Sequence, residues 1–294
     1  MIRIENFNQT LSQINQALGI SKPELIGRIP GGASLYAIEA YRQAESGRVV
    51  SDVQAQELHA LTGFYAPKST YQQDAKAYGK LELEALRGST LCLRQNTNDP
   101  QIAEYLEGIV KGYQPEIHVW TADSIQAWVP LLEGLRVLVV SAFTDTMRKQ
   151  WEVRNKLHTT HPQDAFRFTF PEFDVQFVKA PLTVEGCDPF EFTSWHEAFK
   201  DLCTRVEGLD FDIALLCCGS YAQPLAAHIH KLGKSSWVVG GILQTVFGIK
   251  GHRWDRCENP IRGYYNENWT YPSDEETPQK ASKIRPPWDT FWRL

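Results

Sequence analysis

FDIALLCCGSYAQPLAAHIHKLGKSSWVVGGILQTVFGIKGHRW, residues 211–254, changes its hydrophobic period twice, and that change decides the fold class. Phe211 to Cys217 is an apolar run of strand length, entered from Asp210 and Asp212 and closed by Gly219; a run of this kind suits a strand buried on both faces. From Ser220 the period becomes helical, with Tyr221, Leu225, Ile229 and Leu232 on one stripe and Gly233 placed to end the helix in the left-handed region. Trp237 to Val239 begins the next strand, and Gly240-Gly241 makes a second glycine turn. Strand, turn, helix and strand in this order form half of a nucleotide-binding α/β domain.

A helix that starts near Ser220 leaves its first N–H groups unpaired and points the positive end of its dipole at the carboxyl edge of the sheet, where anions collect. Gly219 lets a phosphate approach the backbone, and the Ser220 hydroxyl is placed to cap the helix or donate to a ligand. The same geometry is expected at Gly240 and Gly241. Neither turn has the GxGxxG spacing of a dinucleotide fingerprint, and no GxxxxGK[ST] loop occurs, which removes support for NAD and for ATP hydrolysis. On pattern alone a phosphate cradle and an ordinary structural turn stay equally open.

From LLCCGSYAQPLAAHIHKLGKSSWVVGGILQTVFGIKGHRW through YYNENWTYPSDEETPQKASKI the chain resembles the bacterial GT-D type glycosyltransferases, a Rossmann-like family of surface-polysaccharide and glycoprotein assembly. VLVVSAFTDTMRKQWEVRNKL and FPEFDVQFVKAPLTVEG resemble the strand, helix and strand that precede them in that fold. The similarity covers residues 135 to 285, with a weaker stretch at 25 to 42. It implies transfer of a hexose from a nucleotide sugar, a UDP-sugar by family analogy, to a glycan, glycolipid or glycoprotein acceptor. In the family, the loop after the first strand carries an Arg and ends in an Asp-x-Glu pair that holds a divalent metal and the donor phosphates. Here the segment is GRIPGGAS: Arg28 is kept, while Gly31 and Ala33, or Gly32 and Ser34 in the other register, stand where the carboxylates would be. Ser141-Ala142 likewise stands where many relatives have His-Pro. A hard dication wants oxygen ligands and this loop offers only carbonyls and one hydroxyl, so no metal ligand is assigned and divalent-metal dependence stays open. The departure keeps an alternative in play: a non-catalytic relative that binds a nucleotide sugar or glycan as a partner subunit in polysaccharide assembly.

At 294 residues and 43% apolar, the chain has the material for a large core. We expect one Rossmann-like α/β domain over residues 1–265, with a helical insertion at about 51–110, and an extended tail over 266–294 packed on it. The formal net charge of −5 argues against a broad nucleic-acid surface. No transmembrane span is legible, and MIRIENFNQT lacks the basic-then-apolar order of a signal peptide. The six cysteines, at 92, 187, 203, 217, 218 and 257, include no C-x-x-C pair and read as reduced cytosolic thiols, which points to the cytoplasm. Cys217 and Cys218 end the proposed central strand, one directed to each face of the sheet.

Along the chain, residues 5 to 19 read as an amphipathic helix with Phe7, Leu11, Ile14 and Leu18 on one stripe. Leu25 to Ile29, Ile117 to Trp120, Val137 to Val140, Phe173 to Val178 and Ile213 to Cys217 read as strands. A helix from about Ser34 to Glu45, mostly helical structure over 51 to 110, and a helix capped by Thr144 and running to about Leu157 lie between them. Strands separated by helices imply a mainly parallel, doubly wound sheet, whose ligands bind beyond the carboxyl ends of the strands. The candidate donor-binding residues are therefore Arg28, Gly31, Gly32, Ser141, Thr144, Gly219, Ser220, Tyr221, Gly240, Gly241 and Gln244. Arg28 suits a pyrophosphate through its paired donors, and its structural alternative is an ion pair with Glu24 or Glu39. Lys250 and Arg253, with His252 between them, form a basic cluster able to neutralise a leaving diphosphate; a solvated basic loop is the other reading. Asp145, also placed to favour a helix start, and Glu39 are the candidate catalytic carboxylates for the acceptor hydroxyl's proton. Tryptophans 269, 288 and 292 are read as ties between tail and body.

Overall fold

In the computed structural model of the chain, residues 22–29, 46–47, 49–94, 113–115, 128–159, 169–184, 187, 191–255 and 260–278 are described, together with 12, 14, 16 and 18. The strands are β1 (Leu25–Ile29), β2 (Leu91–Arg94), β3 (Tyr113–Pro115), β4 (Arg136–Ser141), β5 (Asp174–Lys179), β6 (Ile213–Cys217) and β7 (Ser235–Val238). They form one sheet in the order β3-β2-β1-β7-β6-β4-β5, and every pairing is parallel. The α-helices are α1 (Asp52–Thr62), α2 (Tyr71–Gly88), α3 (Thr144–Glu152), α4 (Trp195–Glu207), α5 (Ala222–Lys231), α6 (Ile242–Val246) and α7 (His252–Asp255). This is the α/β, doubly wound, Rossmann-like arrangement expected from the sequence, with all seven described strands parallel.

The two faces of the sheet carry separate cores, because successive strand residues point to opposite sides. On the first face Val137 and Val139 of β4 pack with Met147 of α3 and with Leu243 and Val246 of α6. On the second, Leu138 and Val140 pack with Tyr78 of α2, Trp195 of α4 and Leu225 of α5. Burying each such aliphatic side chain contributes about 1.5–3 kcal/mol before the entropy cost of ordering it. Cys217 packs against the first core and Cys218 lies in the second, as alternation at the end of β6 requires. Ile14 and Leu18 are helical and buried while Ser12 and Gln16 are helical and exposed, in keeping with the expected N-terminal stripe.

The layering also positions the site. The chain leaves β4 through α3 on the first face, β6 through α5 on the second and β7 through α6 on the first. Since β6 lies between β7 and β4, the helix after β6 departs to the opposite face from the helices after both its neighbours, which opens a crevice at their carboxyl ends.

Several expectations are corrected. The stretch expected to be mostly helical contains β2 at Leu91–Arg94, paired in parallel with β1. A helix after β4 does form, but it ends at Glu152, with a separate 3₁₀ turn over Arg154–Lys156, and Thr144 is its first residue rather than its cap. The last strand spans Ser235–Val238, starting two residues before Trp237. Of the stripe assigned to the 222–231 helix, Tyr221, Leu225 and Ile229 are buried but Leu232 is 40% exposed, because the helix has ended at Lys231 and the chain is turning through Gly233 at φ +76°. The expected strand at 117–120 and helix at 34–45 lie outside the described residues, as do Trp288 and Trp292.

Candidate functional site

Arg28 lies in the second half of β1, and its guanidinium crosses to the turn that follows β7. Gly240 there has φ +73°, and a Cβ added to it would overlap the Arg28 Nη1. Glycine is required twice over, for the left-handed backbone and for the space the guanidinium occupies. Beneath it, the Arg28 N–H donates to the Oε1 of Gln223, 3.3 Å away and buried on α5. Gly241, in helical conformation, leads into α6.

The half-buried Cys217 thiol at the end of β6 ties these groups together. It contacts the Ser141 hydroxyl and the Gln244 backbone, and the positive fields of both Arg28 and Arg253 act on it. Burial outweighs these stabilising influences and pushes its pKa up to about 11, so the thiol stays neutral. Ser141 is fully buried and its hydroxyl also accepts from the Phe143 N–H at 3.2 Å. Gln244 is fully buried, and its Nε2 donates to the Lys250 carbonyl at 2.9 Å, fixing the start of the basic segment. The structure therefore brings Arg28, Ser141, Gly240, Gln244 and Arg253 together at the carboxyl edge. Arg28 approaches Gly240 there, while Glu24, one of its expected ion partners, pairs with Lys22 at 3.6 Å.

The turn after β6 is placed differently. Gly219 has φ +57°, and its open side faces the Thr62 carbonyl, to which an added Cβ would come within 3.3 Å. Ser220 is 3% exposed and its hydroxyl accepts from the Trp195 Nε1 at 2.7 Å. Tyr221 stacks on Trp195 with ring centroids 5.1 Å apart and bonds the Thr183 hydroxyl at 2.9 Å. Burial holds the Tyr221 phenol far above its ordinary range. The Ser220 and Tyr221 side chains thus serve the second core.

Asp145 and Thr144 begin α3. Thr144 is buried, and the half-exposed Asp145 carboxylate pairs with Lys179 of β5 at 2.6 Å. The cap of this helix comes from far along the chain: the buried Glu276 carboxylate accepts from the Asp145 N–H at 2.8 Å, the Thr146 N–H at 3.1 Å and the Thr146 hydroxyl. A carboxylate at a helix N-terminus answers both the unpaired N–H groups and the dipole. Glu276 and Gln223 are residues that sequence reasoning missed. The only signal for Glu276 was the acidic run after Pro272, and no local pattern connects it to residue 145.

The basic segment is fastened to the tail. Ile249 and Thr270 form an isolated bridge, and the Lys250 N–H donates to the Thr270 carbonyl at 2.6 Å. The Lys250 ammonium sits 5.4 Å and 5.8 Å from the ring centres of Tyr265 and Tyr271, whose hydroxyls both donate to Asp255. Trp269 is buried and donates to the Leu157 carbonyl at 2.7 Å, which makes it a tie of the expected kind. Gly31, Gly32 and Glu39 lie outside the described residues. Among the described residues no group of three or more His, Cys, Asp or Glu side chains is placed to hold a metal ion. No described helix is long and apolar enough to cross a membrane.

No family model matches the chain, and no curated protein matches it. Among solved structures, one described as "Selenomethionine substituted structure of domain of unknown function 1792 (DUF1792)" is similar at 10% sequence identity and a TM-score of 0.41, over 90% of this chain and 96% of that one. At that level the likeness carries nothing about substrate or reaction.

Proposed function

We propose that this chain is a glycosyltransferase that moves a hexose from a nucleotide sugar, of the UDP-sugar class, to a glycan, glycolipid or glycoprotein acceptor. The observation that carries the reading is the Arg28 guanidinium seated against Gly240, at a strand end where the positive fields of Arg28 and Arg253 both reach the Cys217 thiol. Two guanidinium groups at a topological switch point suit a diphosphate, because each offers paired donors in a fixed fork and needs no reorganisation as charge builds on the leaving nucleotide. Lys250, held over two tyrosine rings, extends the positive field. Ser141, Thr144, Gly240, Gly241 and Gln244 frame the donor site, the buried ones by shaping its floor, Gly219, Ser220 and Tyr221 support it from the second core, and Gly31 and Gly32 are assigned to the same site by sequence. Asp145 or Glu39 takes the proton of the acceptor hydroxyl.

Calorimetric titration with UDP and UDP-sugars, in manganese and in EDTA, tests the reading when followed by an assay of slow donor hydrolysis. Binding and turnover are expected. Absence of binding to any nucleotide would sink the donor site. A second reading, a non-catalytic nucleotide-sugar or glycan-binding partner subunit in polysaccharide assembly, is favoured by the GGAS sequence at 31–34 and by the pairing of Asp145 with Lys179. Binding without turnover would select it.

A further inference from the structure

We infer that the open cleft formed by the tail turn at 270–277 is the acceptor subsite, and that it takes an uncharged, hydroxyl-rich sugar; this rests on the transferase reading above. The cleft has a volume of about 600 Å³ and is lined by Tyr271, Ser273, Asp274, Glu275 and Thr277, among others. That volume is within the usual range for small-ligand sites and holds one or two hexose rings. Carboxylates only accept hydrogen bonds, so they suit a ligand that brings O–H donors, and an aromatic ring provides a wall for the C–H face of a sugar. No Lys or Arg is among the described lining residues, so an acceptor carrying a carboxylate or phosphate would meet two like charges in the lining and no cationic partner there.

The cleft is held in shape. The buried Glu276 carboxylate fastens its floor to the first turn of α3, the Ser273 N–H donates to the Thr146 hydroxyl at 3.0 Å, and the Thr277 hydroxyl donates to the Ser273 carbonyl at 3.0 Å. Its own backbone N–H and the Ser273 hydroxyl hold the exposed Glu275 carboxylate below the ordinary range, with Lys149 and Lys179 adding to the effect, so it remains an acceptor at neutral pH. Lys179 also pairs with Asp145, whose N–H bonds Glu276, and the Thr270 carbonyl accepts from Lys250. The cleft is thereby fixed between the candidate base on α3 and the segment that carries Arg253, where an acceptor must lie.

The test applies the full chain to an array of neutral and acidic glycans, with UDP affinity measured in parallel by calorimetry. Neutral glycans are expected to bind and their sialylated or uronate-bearing counterparts to be refused. Asp274→Asn and Glu275→Gln, both exposed changes, should each weaken neutral-glycan binding at least fivefold while UDP affinity stays within twofold. Preference for acidic glycans, no glycan bound, or neutral binding indifferent to both substitutions would overturn the inference. Glycan binding in a protein that takes up no UDP would overturn the donor reading and the acceptor role with it, leaving the cleft as a sugar site alone.

Discussion

Two glycine turns stand side by side at the carboxyl edge of the sheet, one after β6 and one after β7, and they differ in what fills the space left by the missing side chain. Beside Gly219 it is the Thr62 carbonyl, with Ser220 and Tyr221 locked onto Trp195; beside Gly240 it is the guanidinium of Arg28. Both have positive φ, both follow a buried strand and both precede a helix, yet one packs against a backbone carbonyl and the other against a guanidinium. A glycine turn after a strand therefore signals close approach without saying what approaches. The first turn should answer to tests of stability and the second to tests of anion binding.

The largest expected effect is at the interior turn. Trp195 is fully buried and stacks on Tyr221 and Phe199, so Trp195→Ala should cost about 3–5 kcal/mol in denaturant unfolding. A loss under about 1 kcal/mol would break the contrast, since the turn after β6 would then not depend on the core.

The same core holds Glu82 at 2% exposure, where burial raises its pKa from 4.5 to about 8 against a lowering contribution from the Tyr78 hydroxyl. Between those values the folded chain keeps a proton that the unfolded chain has released, so this group makes stability fall as pH rises from 4.5 to about 8, and adds no further slope above that. Glu82→Gln should flatten that slope and stabilise the protein at pH 8 by a few kcal/mol, on the order of 2–3. Melting temperatures across this range decide it: parallel curves for the two proteins would show that Glu82 does not titrate in this way.

At the second turn, Arg28→Ala should weaken UDP binding about 10- to 100-fold, the equivalent of one charge-assisted contact. Gly240→Val should reproduce that loss because the new side chain takes the place of the guanidinium. Calorimetry showing full affinity in both variants would remove the donor site from this turn. The smallest effect distinguishes a buried hydroxyl from a ligand-binding one. Ser220→Ala leaves the Trp195 indole N–H without its acceptor and should cost about 1–3 kcal/mol of stability, with UDP affinity within twofold; a tenfold loss of affinity would return Ser220 to the ligand.

What was legible followed from local pattern. The continuous apolar runs of β4 and β6 and the helical stripe of α5 fixed strands, helix and parallel class, since a run buried on both faces leaves little else for the backbone to form. The four-residue β2 escaped because Leu91 to Arg94 is too short to display a period and follows a long helix. The start of α3 was visible at Thr144 and Asp145, but its cap, Glu276, lies 131 residues further on from the amide it accepts from.

The residues of the candidate site divide along the same line. Sequence by itself determined that Arg28, Gly219 and Gly240 would stand near strand ends, because backbone conformation is written into nearest neighbours and glycine marks where a side chain cannot be. Only the tertiary structure decided that Gly240 faces a guanidinium and Gly219 a carbonyl, that Ser220 belongs to Trp195, and that a tail carboxylate fills the head of α3. Those choices are made by groups 25 to 212 positions apart in the chain, which local periodicity cannot relate and which only the packing of the two faces of the sheet brings together.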